Sequence, residues 1–351
     1  MDIVRKLDER LWREFVQTHP DSQIFHTPEM FQVFARTQGY QPTVWAAVEK
    51  DGRVLALLLP VEITLMRGLA RRFTSRAVVY GSVLCASGDP ARQALGALLQ
   101  AYQREVKGRL LFTELRNTTD LTDLQPTLNS SGFIHQEHLN YLLDLKRTPD
   151  EIWQSIRSNA RRNINKARKS EIVIEQVNSA DQVAMAYKLL RDTYERLQVP
   201  LAHATLFQSA FEILTPAGML RMLVARLKDT PVGVMTLLLH KGIVLYWYTG
   251  VLREYTSFRP NDLLVWHALE WGSQNGFSVF DFGGAGKPDE EYGVRDFKAK
   301  FGGQLVNYGR NVCVHSPLVL KASTTIYQGV RRFLYKETLA PKSGQGEAKT
   351  Q

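Results

Sequence analysis

The sequence predicts an α/β (α+β) chain in which one domain plan occurs twice in tandem. Three observations point to it. PEMFQVF at 28–34 and TLFQSAF at 205–211 open two stretches in the same way. Each is followed by a pair of apolar runs joined at an aspartate, Asp51 in the first stretch and Asp229 in the second. YGSV at 80–83 and YTGV at 248–251 then stand at the same place in the two orders. Agreement in the order of several elements is the signature of an internal repeat. With 351 residues, of which 44% are hydrophobic, the chain has apolar material for two cores.

Residues 5–18 form an amphipathic helix pattern with Leu7, Leu11, Trp12 and Phe15 on one side. Thr27 reads as an N-cap with Pro28 at the first helical position. Strands at 43–48 and 53–63 meet at Lys50, Asp51 and Gly52, a hairpin signal. A strand at 77–84, a helix at 90–106 and a strand at 109–115 complete the first copy. In the second, strands at 221–227 and 232–240, a helix at 261–275 and a strand at 278–282 take the same places. Between the copies, 151–171 is a basic amphipathic helix broken near Ser158 and Asn159. Ile152, Ile156, Ala160 and Ile164 lie on its apolar side, and Arg157, Arg161, Lys166 and Arg168 on other faces. The expected division is a first domain at 1–145, a second at 146–320, a basic amphipathic helix at 321–340 and a disordered tail at 341–351.

The 44 Lys and Arg against 35 Asp and Glu give a net charge of +9, which favours polyanionic partners: nucleic acid, nucleotide-linked substrates or anionic lipid. Cys85 and Cys313 are too few for a disulfide framework or a cysteine metal site. The eight histidines show no metal-ligand spacing, so no metal is expected. No signal core opens the chain, and no transmembrane segment of about 18–20 apolar residues is present, which places the protein in the cytoplasm. The Gly284–Lys287 stretch lacks the spacing of a phosphate loop, and DFG at 281–283 has no kinase companions.

The chemistry concentrates at 279–303. A short buried strand with Val279, Phe280 and Phe282 breaks at Gly283, Gly284 and Gly286, and Arg295, Lys298 and Lys300 follow before Gly302 and Gly303. Glycines let backbone approach a ligand, and clustered cations suit an anionic substrate or a developing oxyanion. Asp281, at the strand end, is placed to orient a backbone N–H, to cap the glycine turn, or to accept a proton from an amine. Tyr246 and Tyr248, alternating with Trp247, put two aromatics on one strand face toward the same cleft.

SNARRNINKAR at 158–168, FDFGG at 280–284 and GVRDFKAKFGG at 293–303 resemble the Fem-type (FemABX-like) branch of the GNAT acyltransferase superfamily, which includes peptidoglycan bridge formation proteins and related acetyltransferases. The resemblance spans residues 20–315 and implies two tandem GNAT-like domains, each a mixed, mostly antiparallel sheet flanked by helices. It implies N-acyl transfer to a polar amine acceptor, nucleotide- or lipid-linked, with aminoacyl-tRNA or acyl-CoA as donor co-substrate and no tightly bound cofactor. Lys298 takes the electrostatic role at the reacting ester, and Phe297 shapes the pocket. Arg295 and Lys300 are further candidates for the same anion. Arg161, Arg162 and Lys166 match the cluster that lies near acceptor phosphates or nucleic acid, Arg162 foremost. Two features depart from the pattern. Residues 253–262, where a GNAT domain holds the CoA pyrophosphate, contain no glycine, and no heptad arm is inserted. The competing expectation is a non-catalytic relative, binding nucleic acid through 151–171 or resting on the inner face of an anionic membrane through the 321–340 helix.

Overall fold

The structure is a computed structural model, and it describes residues 1–64 and 74–320. The helix expected at 321–340, with its membrane role, and the tail at 341–351 lie outside the described residues. The first half runs β1 (Asp2–Val4), α1 (Glu9–Thr18), α2 (Pro28–Ala35), β2 (Tyr40–Pro42), β3 (Trp45–Val48), β4 (Val54–Leu58), β5 (Val61–Ile63), β6 (Arg76–Tyr80), β7 (Leu84–Cys85), α3 (Asp89–Val106), β8 (Phe112–Arg116), α4 (Gln125–Ser130), β9 (Ile134–Gln136) and β10 (Leu139–Asp144). The second follows with α5 (Pro149–Ser155), α6 (Ser158–Lys169), β11 (Ile172–Gln176), α7 (Ala180–Leu197), α8 (Ala204–Leu214), β12 (Leu220–Leu227), β13 (Thr230–His240), β14 (Ile243–Val251), α9 (Pro260–Gln274), β15 (Val279–Gly284), α10 (Gly293–Ala299), β16 (Gln304–Asn307) and β17 (Arg310–Val314).

Local chemistry sets most boundaries. Asp8 caps α1 by accepting from the amides of Arg10 and Leu11, and Thr27 caps α2 by accepting from Met30. The strand expected at 53–63 is two strands, because Pro60 has no N–H to give to a ladder; β4 and β5 join different sheets. The strand expected at 77–84 also divides, at Gly81 and Ser82, both with positive φ. The basic helix between the halves breaks at Ile156 and Arg157, just before the expected Ser158 and Asn159, which instead open α6 after α5.

Among the described residues the strands form three sheets, ordered β1-β3-β4-β7, β2-β5-β6-β8-β17-β9 and β11-β12-β13-β14-β15-β10-β16. Each half holds one parallel pair bridged by a helix: β6 with β8 across α3, and β14 with β15 across α9. The other pairs are antiparallel.

The halves exchange their last strands. β10 precedes residue 145 but pairs with β15 and β16 in the second sheet, while β17, late in the chain, pairs with β8 and β9 in the first. The sheets therefore cross the division expected at 145/146. Apolar contacts also join the halves, since Ile24, Phe34 and Val78 share a buried cluster with Leu190, Phe207 and Leu238. Burial of such continuous apolar surface fixes one half against the other.

Candidate active site

β14 and β15 run side by side only from Ile243 to Leu245 and from Val279 to Asp281, then part. β14 continues along β13, with a register shift between Thr236 and Leu237 that leaves Trp247 as the extra residue. β15 continues along β10. The opening leads into a cleft of about 920 Å³ lined by residues of both halves, among them Tyr80 and Arg116 from the first and Asp281, Phe297 and Lys298 from the second.

Lys298 lies in this opening, 6% exposed. Its Nζ donates to the carbonyls of Gly283 at 3.1 Å and Gly284 at 2.8 Å. Gly283 has φ 70, in the left-handed region that favours glycine, and that turn of the backbone brings its carbonyl to Lys298. Burial pushes the Lys298 ammonium down to about 8, against the opposing pull of Asp281. An ammonium has three donors. Two are held by the glycine carbonyls, and one remains for a ligand.

Asp281 is buried, and its Oδ1 accepts from the amide of Gly283 at 2.7 Å and from Asn140 Nδ2 at 2.9 Å. Burial raises its pKa above the usual carboxylate value, and the two donors restrain the rise. The carboxylate thus caps the glycine turn while still lining the cleft. Asn140, on the exchanged strand β10, also accepts from the amide of Tyr141 through Oδ1, which fixes its amide orientation. Sequence pattern gives no sign of this residue, because its partner lies in the other half.

The remaining expected residues divide. Phe297 lines the cleft and lies under the Lys300 ammonium, 4.1 Å from its ring centre. Lys300 lines the cleft too, but its Nζ is engaged with Asp262 at 2.6 Å. Arg295 does not face an open anion: it donates to the carbonyls of Ala285, Lys287 and Pro288 and ties down the loop before α10. Tyr246 and Tyr248 both line the cleft, yet they belong to different apolar clusters, because the extra residue Trp247 breaks the alternation that places them on one face. Tyr246 donates to Asn261 at 3.3 Å, and Tyr248 packs on Tyr194 and Phe207. Arg161, Arg162 and Lys166 lie on α6 and are not among the residues lining the cleft. Arg161 donates to Gln154, while Arg162 and Lys166 are exposed. Of α6, Asn163 reaches toward the site, donating to Asp262 at 3.1 Å.

Residues 154–298 match the family model described as an acetyltransferase (GNAT) domain. The matched stretch lies within the second half. The splayed strands β14 and β15, with α9 between them, are its centre. The whole chain has a tandem GNAT fold. It is similar to the crystal structure of FemX over 92% of this chain and 100% of that one, with a TM-score of 0.69 at 15% identity. A tandem GNAT protein from the clavulanic acid biosynthesis pathway gives 0.58 at 14% identity, covering 90% of this chain and 98% of that one. L-PGS from Bacillus licheniformis gives 0.57 at 13% identity, covering 91% and 97%. No curated protein matches the sequence. Among the described residues, no group of His, Cys, Asp and Glu is arranged to hold a metal, and no helix is long and apolar enough to cross a membrane.

Proposed function

We propose that the chain is an N-acyltransferase that moves an acyl or aminoacyl group from an activated ester or thioester to an amine on a cell-envelope precursor such as a peptidoglycan peptide. The observation that carries this is Lys298, buried at the open end of the GNAT strand pair and held by two glycine carbonyls with one donor to spare. Attack of a neutral amine on the donor carbonyl forms the C–N bond and puts negative charge on the carbonyl oxygen. A fixed ammonium in a poorly hydrated cleft stabilises that oxyanion without reorganising. Collapse breaks the C–O or C–S bond, and the amine's proton passes to the leaving group. Phe297 supports the pocket wall, and Asp281 keeps the glycine turn in shape beside the reacting carbonyl.

The donor is proposed to differ from the usual GNAT donor. An ordinary GNAT domain binds pyrophosphate at a helix N-terminus through free backbone N–H groups. Here the corresponding helix, α9, carries the buried carboxylate of Asp262 in its first turn, paired with Lys300 and Asn163. A carboxylate at that place opposes a phosphate by charge and by volume. The exposed Arg162 and Lys166 on α6 offer a basic face that a charged tRNA can follow, which supports an aminoacyl ester donor. The likeness to a putative lysylphosphatidylglycerol synthetase domain from Agrobacterium fabrum keeps a lipid-linked acceptor within the proposal.

Mass spectrometry of envelope-precursor extracts incubated with the protein and either acetyl-CoA or aminoacyl-tRNA tests this. The expected result is a mass gain equal to one amino-acid residue with tRNA and none with acetyl-CoA. An acetyl mass gain overturns the donor assignment, and no gain from any activated ester overturns transfer itself.

A further inference from the structure

The cleft that holds Lys298 is also lined by residues of the first half's own parallel strand pair, and that pair is closed. β6 and β8 stay paired from Ala77 with Thr113 to Tyr80 with Arg116, without the parting seen in the second half. Past Tyr80 the space is filled: a Cβ on Gly81 would sit 2.9 Å from the His26 ring, which is itself fully buried. This pair therefore has no room for a donor between its strands. Its ends instead carry arginines to the cleft.

Arg116 lies over the Tyr80 ring at 5.2 Å and donates through Nε to Glu114 at 2.8 Å. Its two terminal nitrogens make no hydrogen bond among the described residues. Arg310, on the exchanged strand β17, also binds Glu114 and donates to His138 Nε2 at 2.9 Å. Because arginine only donates, His138 accepts through Nε2 and is neutral; burial, with Arg310 beside it, holds its pKa down to about 4. Arg76, also lining the cleft, has no ion pair among the described residues. Two guanidinia, those of Arg116 and Arg310, thus share the single carboxylate of Glu114, and Arg76 acts on it only through its charge. Glu114 stays ionised because these arginines outweigh the upward push of burial. A wall with this excess of oriented, partly desolvated donors fits a group of more than one negative charge.

We infer that Arg76 and Arg116, with Arg310 behind them, form a phosphoryl subsite that holds the phosphate-bearing part of the substrate whose other end reacts at Lys298. What the phosphoryl group is attached to rests on the transfer reading above; the subsite itself does not.

Isothermal titration calorimetry of the full chain with inorganic pyrophosphate, and separately with malonate, tests the subsite. Pyrophosphate is expected to bind, with Arg76→Ala and Arg116→Lys each weakening it about tenfold and Lys298→Ala leaving it within about twofold. Arg116→Lys keeps a charge beside Glu114, and an unchanged melting temperature shows that it folds. The subsite is overturned if neither arginine variant changes affinity, or if wild type binds no pyrophosphate. Equal binding of malonate overturns the phosphoryl assignment. Loss of pyrophosphate binding in the arginine variants, in a protein that transfers no acyl group, sustains the subsite while removing the transfer reading.

Discussion

Asn140 Nδ2 donates to Asp281 Oδ1 across 2.9 Å, so the strand that the first half lends to the second sheet holds a carboxylate of the cleft. The exchange of strands is thus part of the site as well as of the fold. Asn140→Leu removes this donor and leaves the amide of Tyr141 without its acceptor, at an expected cost of about 1–3 kcal/mol. The lost bond favours the ionised carboxylate, so its removal raises an Asp281 pKa that burial has already raised. Below that pKa the carboxyl is neutral and the loss is mainly that of the Tyr141 amide's acceptor; above it the full cost appears. Melting temperatures of wild type and variant should differ more at pH 8 than at pH 5. An equal difference at both would detach Asn140 from the charge on Asp281.

Lys298 sets a limit on the alkaline side. With its pKa pushed down to about 8, the cation is lost as pH rises through 8, while the acceptor amine gains its neutral form over the same range. Transfer should therefore peak near pH 8 and fall above it. Lys298→Ala should lower kcat by about a hundredfold or more, as loss of an oxyanion donor does. Lys298→Arg keeps the charge at high pH, so its residual activity should lack the alkaline fall. A wild-type rate that climbs steadily to pH 10 would rule out a cationic role.

Arg295 is expected to act on the loop and not on the substrate charge. Its fork spans the carbonyls of Ala285, Lys287 and Pro288, an arrangement that a single ammonium cannot reproduce. Arg295→Lys should then behave like Arg295→Ala. Both should lose about 1–3 kcal/mol of stability and be cut faster by protease between residues 285 and 292. Rescue by lysine would instead assign Arg295 a simple charge role.

The tandem order of elements, a break in the basic helix and the gathering of glycines and cations at 283–303 are legible in the sequence. They depend on local period and short motifs, where neighbouring residues carry the information. The exchanged strands are not, because β10 and β17 are ordinary short strands whose sheet is decided by pairing partners far along the chain. The two tyrosines mislead for a related reason. Strict alternation puts Tyr246 and Tyr248 on one face, and a single extra residue, Trp247, undoes it; no residue type marks that bulge. Arg116 escapes notice because the cleft wall it forms lies in the half without the glycine-rich motif.

The pair of Lys300 and Asp262 shows how a cation expected to meet substrate can be committed to the protein. Their side chains are 13% and 6% exposed, and Asn163 adds a second donor to the same Asp262 oxygen. Removing one partner of such a pair leaves the other buried and uncompensated, at about 3–5 kcal/mol, whereas replacing both with apolar groups is often neutral. Lys300→Met should therefore destabilise strongly, and Lys300→Met with Asp262→Leu should recover most of the loss. The double variant also clears the carboxylate from the first turn of α9, where an ordinary GNAT domain places phosphate. Calorimetry with coenzyme A then separates two causes of the departure from the family pattern. If Asp262 is the obstacle, the double variant gains affinity of about tenfold over wild type. If the missing glycines between residues 253 and 262 are the obstacle, the affinity stays where it was while the stability still returns.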